Sequence, residues 1–183
     1  MLNVNYWVFQ SAISSEMCDL LVKETDWDKA EEGAVHQSDE GVVNTTIRKT
    51  DVVFLPLMAP AEGIVRNAIV LANSGARWNY KLTGVEPVQM GRYTIGGHYD
   101  YHMDTEHPNA KNEQRKLSAV MFLSDPNEYE GGEFEFKHLK FEQPKFPKGT
   151  IIVFPSFLEH KVNPVLSGER ITAVCWAHGP AFT

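Results

Sequence analysis

The chain has 183 residues, 43% of them hydrophobic and 22% charged, which suits one globular domain with a substantial core. A formal net charge of −7 argues against a nucleic-acid-binding surface, which is ordinarily basic. No apolar run approaches the roughly 18 residues needed to cross a bilayer, the start lacks the features of a signal peptide, and Cys18 and Cys175 show no C-x-x-C spacing, so the chain reads as a cytoplasmic protein with reduced thiols.

In chain order, residues 5–9 predict a short strand. Ser14 or Ser15 then caps a helix that carries Met17, Leu20 and Leu21 and ends near Thr25. Residues 31–44, rich in Glu, Gly, Ser and Asp, read as a loop. Residues 50–55 alternate into a strand, and Pro60 opens a helix with Ile64, Ala68, Ile69, Leu71 and Ala72 on its apolar face. Beyond Val85 the texture changes to short strands at 88–93, 98–103, 117–123, 132–136, 150–154 and 170–176, separated by turn residues. That spacing predicts an antiparallel sandwich or barrel with the earlier helices packed on one sheet. Residues 105–116 are polar and read as a second loop, and both loops are candidate lids.

The chemistry gathers in the strand-rich half. Residues two apart in a strand face the same way, so His102 and Asp104 project together. His160, from a distant strand, completes two imidazoles and a carboxylate. Such a set covers one face of an octahedral metal and leaves three positions open, as in non-haem Fe(II) oxygenases. Arg170 offers a permanent fork for the distal carboxylate of a dicarboxylate co-substrate. Arg170, Thr172, Val174 and Trp176 share one parity, which turns the arginine inward beside a threonine and a tryptophan. With seven histidines in the chain an isolated H-x-D means little, and His98-Tyr99-Asp100 is a second one. The joint pattern carries the weight.

Four stretches carry a family resemblance: Gln89-Met-Gly-Arg-Tyr93-Thr-Ile-Gly96-Gly97-His-Tyr99-Asp-Tyr-His102-Met-Asp104, Phe122-Leu-Ser-Asp-Pro-Asn-Glu-Tyr-Glu-Gly131-Gly132-Glu133-Phe134, Pro155-Ser-Phe-Leu-Glu-His160 and Gly168-Glu-Arg170-Ile-Thr172-Ala-Val-Cys-Trp176. Over residues 86–180 they resemble the 2-oxoglutarate- and Fe(II)-dependent dioxygenases, within them the prolyl 4-hydroxylase-like branch, and look most like its small bacterial and phage members. The family has an aromatic residue three before the ligand histidine and a tyrosine about nine before it. Tyr99 and Tyr93 satisfy this for His102, whereas Ile95 and Gln89 do not for His98.

The resemblance implies a mostly β chain with N-terminal helices, folded as a double-stranded β-helix (a cupin-like jelly roll). It implies a single domain over 1–183, with helices and supporting strands in 1–84 and the metal-binding core in 85–180. His102, Asp104 and His160 would hold Fe(II), Arg170 and Tyr93 would hold 2-oxoglutarate, and Thr172 would add a hydroxyl. Tyr99, Arg115 and Trp176 would contact a peptide. The chemistry implied is hydroxylation of a prolyl residue, using O₂ and 2-oxoglutarate, releasing succinate and CO₂, with ascorbate as reductant. The expected partner is a proline-containing peptide or protein, with no nucleic acid or membrane, and the chain a monomer or weak homodimer. Hydroxylation of a free amino acid or small metabolite is the alternative reading, and a non-catalytic metal-binding peptide-recognition jelly roll is the second. Two positions depart from the pattern: Arg170 stands where collagen-type enzymes usually carry lysine, and Phe122 where several relatives have a tyrosine that touches the co-substrate.

Overall fold

The computed structural model describes residues 4–35, 42–105, 107–139 and 145–182. Its elements run β1 (Trp7–Phe9), α1 (Ser15–Lys23), a 3₁₀ turn (Trp27–Lys29), β2 (Glu31–Glu32), β3 (Arg48–Lys49), β4 (Asp51–Phe54), α2 (Pro60–Gly75), β5 (Gly84–Val85), β6 (Gln89–Tyr93) and β7 (His98–His102). They continue with β8 (Glu113–Phe122), β9 (Tyr129–Gly131), β10 (Phe134–Phe136), β11 (Ile151–Pro155), β12 (His160–Val162), β13 (Val165–Gly168) and β14 (Arg170–Pro180).

Strand pairing is antiparallel. The large sheet has the order β1-β11-β8-β14-β6-β4-β2 with β5 on β14, the smaller has β10-β12-β7-β3, and β13 pairs with β9. Period-two alternation along the central strands builds two cores at once. Leu117, Ala119 and Met121 of β8 and Ala173, Cys175 and Ala177 of β14 face the helices. Val120 and Phe122 face inward, onto Phe134, Phe136 and Val162 of the smaller sheet. The result is the jelly roll the sequence predicts, with the helices outside it.

The helices form for local reasons. Ser14 caps α1 by accepting from the Met17 amide at 3.3 Å, and Pro60 sits in the first turn of α2. Ala61, Val65, Ala68 and Ala72 bury one stripe of α2 with Ile69 beside it. Leu71, predicted on that face, is 52% exposed, because it is turned roughly 100° from Ala72.

Two predicted loops are shorter than expected. Glu31 and Glu32 pair with Val52 and Asp51, and Val35 pairs with Val42; residues 36–41 lie outside the described residues. Glu113 to Lys116, read as the end of a loop, belong to β8, since β14 runs on to Pro180 and supplies their backbone partners. Between Ala177↔Leu117 and His178↔Arg115 the register slips, leaving Lys116 without a partner on β14. This bulge has a consequence for facing. Strict alternation from inward-facing Ser118 would turn Arg115 outward; the extra residue turns it inward.

Candidate active site

The register places the two imidazoles side by side: His102 ends β7, His160 begins β12, and the two are directly opposite. Asp104 stands beyond the end of β7, so strand alternation is not what brings it round. The loop backbone does: the Asp104 and Thr105 amides donate to the Ser156 carbonyl at 2.9 and 3.0 Å. Asp104 Oδ1 lies 3.6 Å from His102 Nε2 and Oδ2 lies 3.6 Å from His160 Nε2. The three ligand atoms fall within 4.8 Å of one another.

Their protonation is fixed by neighbours. His102 Nδ1 is 2.8 Å from the Asp100 carbonyl and His160 Nδ1 is 2.9 Å from the Leu158 carbonyl. A carbonyl only accepts, so each Nδ1 carries a hydrogen and each Nε2 is the nitrogen turned towards Asp104. Burial pushes His160 down to about 4, keeping its imidazole neutral. Burial opposes charge on Asp104 too, but His160, His102 and the Ser118 hydroxyl outweigh it and hold the carboxyl well below its usual range. Aromatic rings wall the ligands: Tyr99 stacks on His102 with centroids 3.5 Å apart, and Phe154 and Phe134 lie 4.9 and 5.4 Å from His160. The other H-x-D pair is occupied elsewhere. His98 contacts the Gly96 and Thr46 carbonyls, and Asp100 accepts from the Tyr101 amide.

Arg170 begins β14, opposite Tyr93 at the end of β6. It is 1% exposed, and its Nε and Nη2 have no hydrogen-bond partner among the described residues. Its guanidinium carbon lies 5.1 Å from the Tyr93 ring and 5.5 Å from Phe122. The Tyr129 phenol lies close enough to feel its charge. So a phenol absent at position 122 approaches the same cation from position 129, which lies within the Phe122–Phe134 stretch but carries no local mark of this role. Gly132, at φ +65°, lets the chain pass close: a Cβ there would lie 2.9 Å from Arg170 Cδ. Thr172 faces Gly91 across the sheet, which leaves room between its hydroxyl and Tyr93.

At the other end of the row, Trp176 pairs with Ser118, whose hydroxyl lies 2.9 Å from that of Ser156, the residue whose carbonyl holds the Asp104 amide, so indole and ligands share one level. The bulge brings Arg115 over Trp176 at 4.0 Å. Glu86 grips Arg115 Nε and Nη2 at 2.5 and 2.6 Å and lies 2.9 Å from His178 Nε2. Glu86 is not recognisable from sequence, because nothing local marks it as the acid that meets Arg115.

A jelly roll carrying two imidazoles and a carboxylate at one level, with a buried arginine on the same interior row, defines a class. The chain belongs to the 2OG-Fe(II) oxygenase superfamily, whose model matches residues 88–178. A PKHD-type hydroxylase of Pseudomonas fluorescens is 37% identical over 97 residues, covering 50% of this chain and 43% of that protein. The PKHD-type hydroxylase PiuC of Pseudomonas aeruginosa is 33% identical over 111 residues, covering 54% and 49%. The chain thus spans under half the length of these curated relatives. Among solved structures, the viral collagen prolyl hydroxylase of Paramecium Bursaria Chlorella virus-1 in its 2OG complex superposes with a TM-score of 0.72 at 23% identity, covering 96% of this chain and 97% of that one. A Pseudomonas putida prolyl-4-hydroxylase gives 0.71 at 17% identity, covering 98% and 94%. A Trichoplax adhaerens prolyl hydroxylase with a hypoxia inducible factor peptide fragment gives 0.68 at 16%, covering 94% and 83%. These likenesses establish the shared fold.

Proposed function

We propose that the chain is an Fe(II)- and 2-oxoglutarate-dependent hydroxylase acting on a prolyl residue in a peptide or protein. The observation that carries the reading is Arg170, a buried cation with two nitrogens unpartnered among the described residues. A lone buried charge is strongly unfavourable, and a carboxylate is the natural counterpart of its planar fork. The donor set fits iron: with the Nδ1 atoms of His102 and His160 engaged by backbone carbonyls, their Nε2 atoms are the nitrogens directed at the site, and Asp104 is held ionised. These three would hold the metal. Arg170, Tyr93, Tyr129 and Thr172 would hold the distal end of 2-oxoglutarate.

Bound iron would activate O₂, the oxidant, so that 2-oxoglutarate and a C–H bond, each giving up two electrons, become succinate with CO₂ and C–OH. The chain's own residues bind, orient and exclude water. Phe134 and Phe154 keep the His160 side dry. Trp176, with Arg115 over one face, would offer an apolar surface to a pyrrolidine ring near the ligands, whereas Tyr99, covered by His102 on one face and Arg48 on the other, would meet a substrate only at its edge. Among the described residues no helix is long and apolar enough to cross a membrane.

The mouth favours a peptide over a free amino acid. An amino acid needs separate charges for its ammonium and carboxylate, whereas Glu86 and Arg115 hold each other at 2.6 Å. The peptide fragment carried by the Trichoplax enzyme supports the same choice. The test is succinate formation by the iron-loaded protein with a panel of proline-containing peptides and with free proline, repeated for Trp176→Ala and Arg115→Ala. Peptide turnover weakened in both variants is expected. Turnover of free proline alone, insensitive to both changes, rejects the peptide reading.

A further inference from the structure

Behind the metal ligands lies a stack that the chemistry above does not use. Arg48 on β3 pairs in register with Tyr99 on β7, and its guanidinium carbon sits 4.7 Å from the centre of the Tyr99 ring. The opposite face of Tyr99 lies flat on His102, with centroids 3.5 Å apart and planes within 10°. Cation, phenol and ligand imidazole therefore form a stack of three. Arg48 is 7% exposed, its Nη1 donates to the Ala34 carbonyl at 2.9 Å, and its Nε has no hydrogen-bond partner among the described residues. Gly33 is the seat: a Cβ there would stand 2.5 Å from Arg48 Nε and 2.8 Å from Cζ. The Gly33 amide in turn donates to the Thr50 carbonyl at 2.7 Å, and Glu31 and Glu32 pair with β4. The guanidinium is thus trapped between the 31–35 segment and the Tyr99 ring.

We infer that Arg48 is a positioning residue for the metal site: clamped by Gly33 and Ala34, it presses Tyr99 onto His102 and so fixes the direction of the His102 Nε2 lone pair. The segment at 31–35 is thereby coupled mechanically to a ligand it does not touch. The inference rests on the metal reading above. The Asp100 carbonyl anchors one edge of the imidazole through Nδ1, which leaves rotation about that contact open; the stack closes it. Groups that orient a ligating histidine typically change metal affinity by about 10–100-fold when removed.

The probe is Co(II), titrated into metal-free protein and read by its d–d absorption, so that no turnover is needed. Arg48→Met is expected to weaken Co(II) binding about ten-fold or more, on the scale of lost ligand-orienting contacts. Arg48→Lys, which keeps the cation but loses the plane, should fall between the two. Gly33→Ala, which leaves Arg48 in place but fills its seat, should resemble Arg48→Met, and it serves should Arg48→Met fail to fold. Tyr99→Phe should bind as the wild type does, because the stack needs the ring and not the hydroxyl. If Arg48 acts through Tyr99, Arg48→Met combined with Tyr99→Ala binds no more weakly than Tyr99→Ala alone. Wild-type affinity in Arg48→Met or Gly33→Ala, or fully additive losses in the double variant, overturns the inference. Failure of the wild-type protein to bind Co(II), or binding that survives His102→Ala, overturns the metal reading instead.

Discussion

The two ends of the inward row on β14 carry the same kind of charge in opposite circumstances. At one end Arg170 is sealed in, with two nitrogens unpartnered among the described residues. At the other, Arg115 is brought over Trp176 and held by both oxygens of Glu86. A buried cation without a counter-ion is tolerable only if an anion arrives to complete it, whereas a cation already paired presents little net charge. The first end is suited to a small dicarboxylate, the second to a chain whose backbone is polar and neutral. In the proposed reading, one strand therefore separates co-substrate chemistry from substrate chemistry along its length.

The sharpest way to break this contrast is at the ligands that lie along it. His160→Ala or Asp104→Ala should abolish metal binding and all turnover; residual Co(II) absorption in either variant contradicts the assignment. Arg170→Ala comes next. Loss of a buried charge-assisted pair of about 3–5 kcal/mol implies a rise of two orders of magnitude or more in the 2-oxoglutarate requirement, while Co(II) affinity stays near that of the wild type. An unchanged 2-oxoglutarate dependence would mean that another cation holds that carboxylate. At the opposite end the effect should be smaller and of a different kind. Glu86→Gln should loosen Arg115 and raise the peptide KM about ten-fold, the scale of one hydrogen bond to a charged group, leaving the 2-oxoglutarate KM alone. If both constants move together, the two ends are not separate.

The smallest effect lies outside the row. Cys175 is buried against the helices, and burial raises its thiol to about 12. Both native thiols should therefore resist a thiol-specific reagent at pH 8 and react only on unfolding. A raised folded value favours the native state below the thiol's ordinary 9.0, and that contribution is lost as pH climbs from there towards about 12. Reaction of Cys175 in the native protein at pH 8 would show that the outer core opens.

Much of this arrangement is legible in the sequence because it rests on short-range rules. Parity alone puts Arg170, Thr172 and Trp176 on one face, and Ser14 and Pro60 mark their helices by the chemistry of their own side chains. What escapes is whatever depends on distant backbone. Asp104 looks like a strand neighbour of His102, yet it is held by Ser156. β12 and β13 are too short and too polar to stand out, and they exist because β7, β9 and β10 need partners. Leu71 has the right chemistry for the apolar face of α2 and the wrong angle. Arg115 does reach the mouth, but through a register slip that no residue type announces.

That slip at Lys116 also bears on how such a mouth can change over generations. Substitution alters one side chain at a time. Insertion of a single codon between Ala177 and His178 would give Lys116 a partner and let β8 pair with β14 without interruption, and strict alternation would then exchange the faces of everything upstream on β8. Arg115 would then turn towards the helices and Gln114 towards the site, with the metal ligands and the Arg170 end untouched. Substrate choice in this fold is thus open to heritable change by insertion in one strand, at a place where the catalytic residues do not have to move.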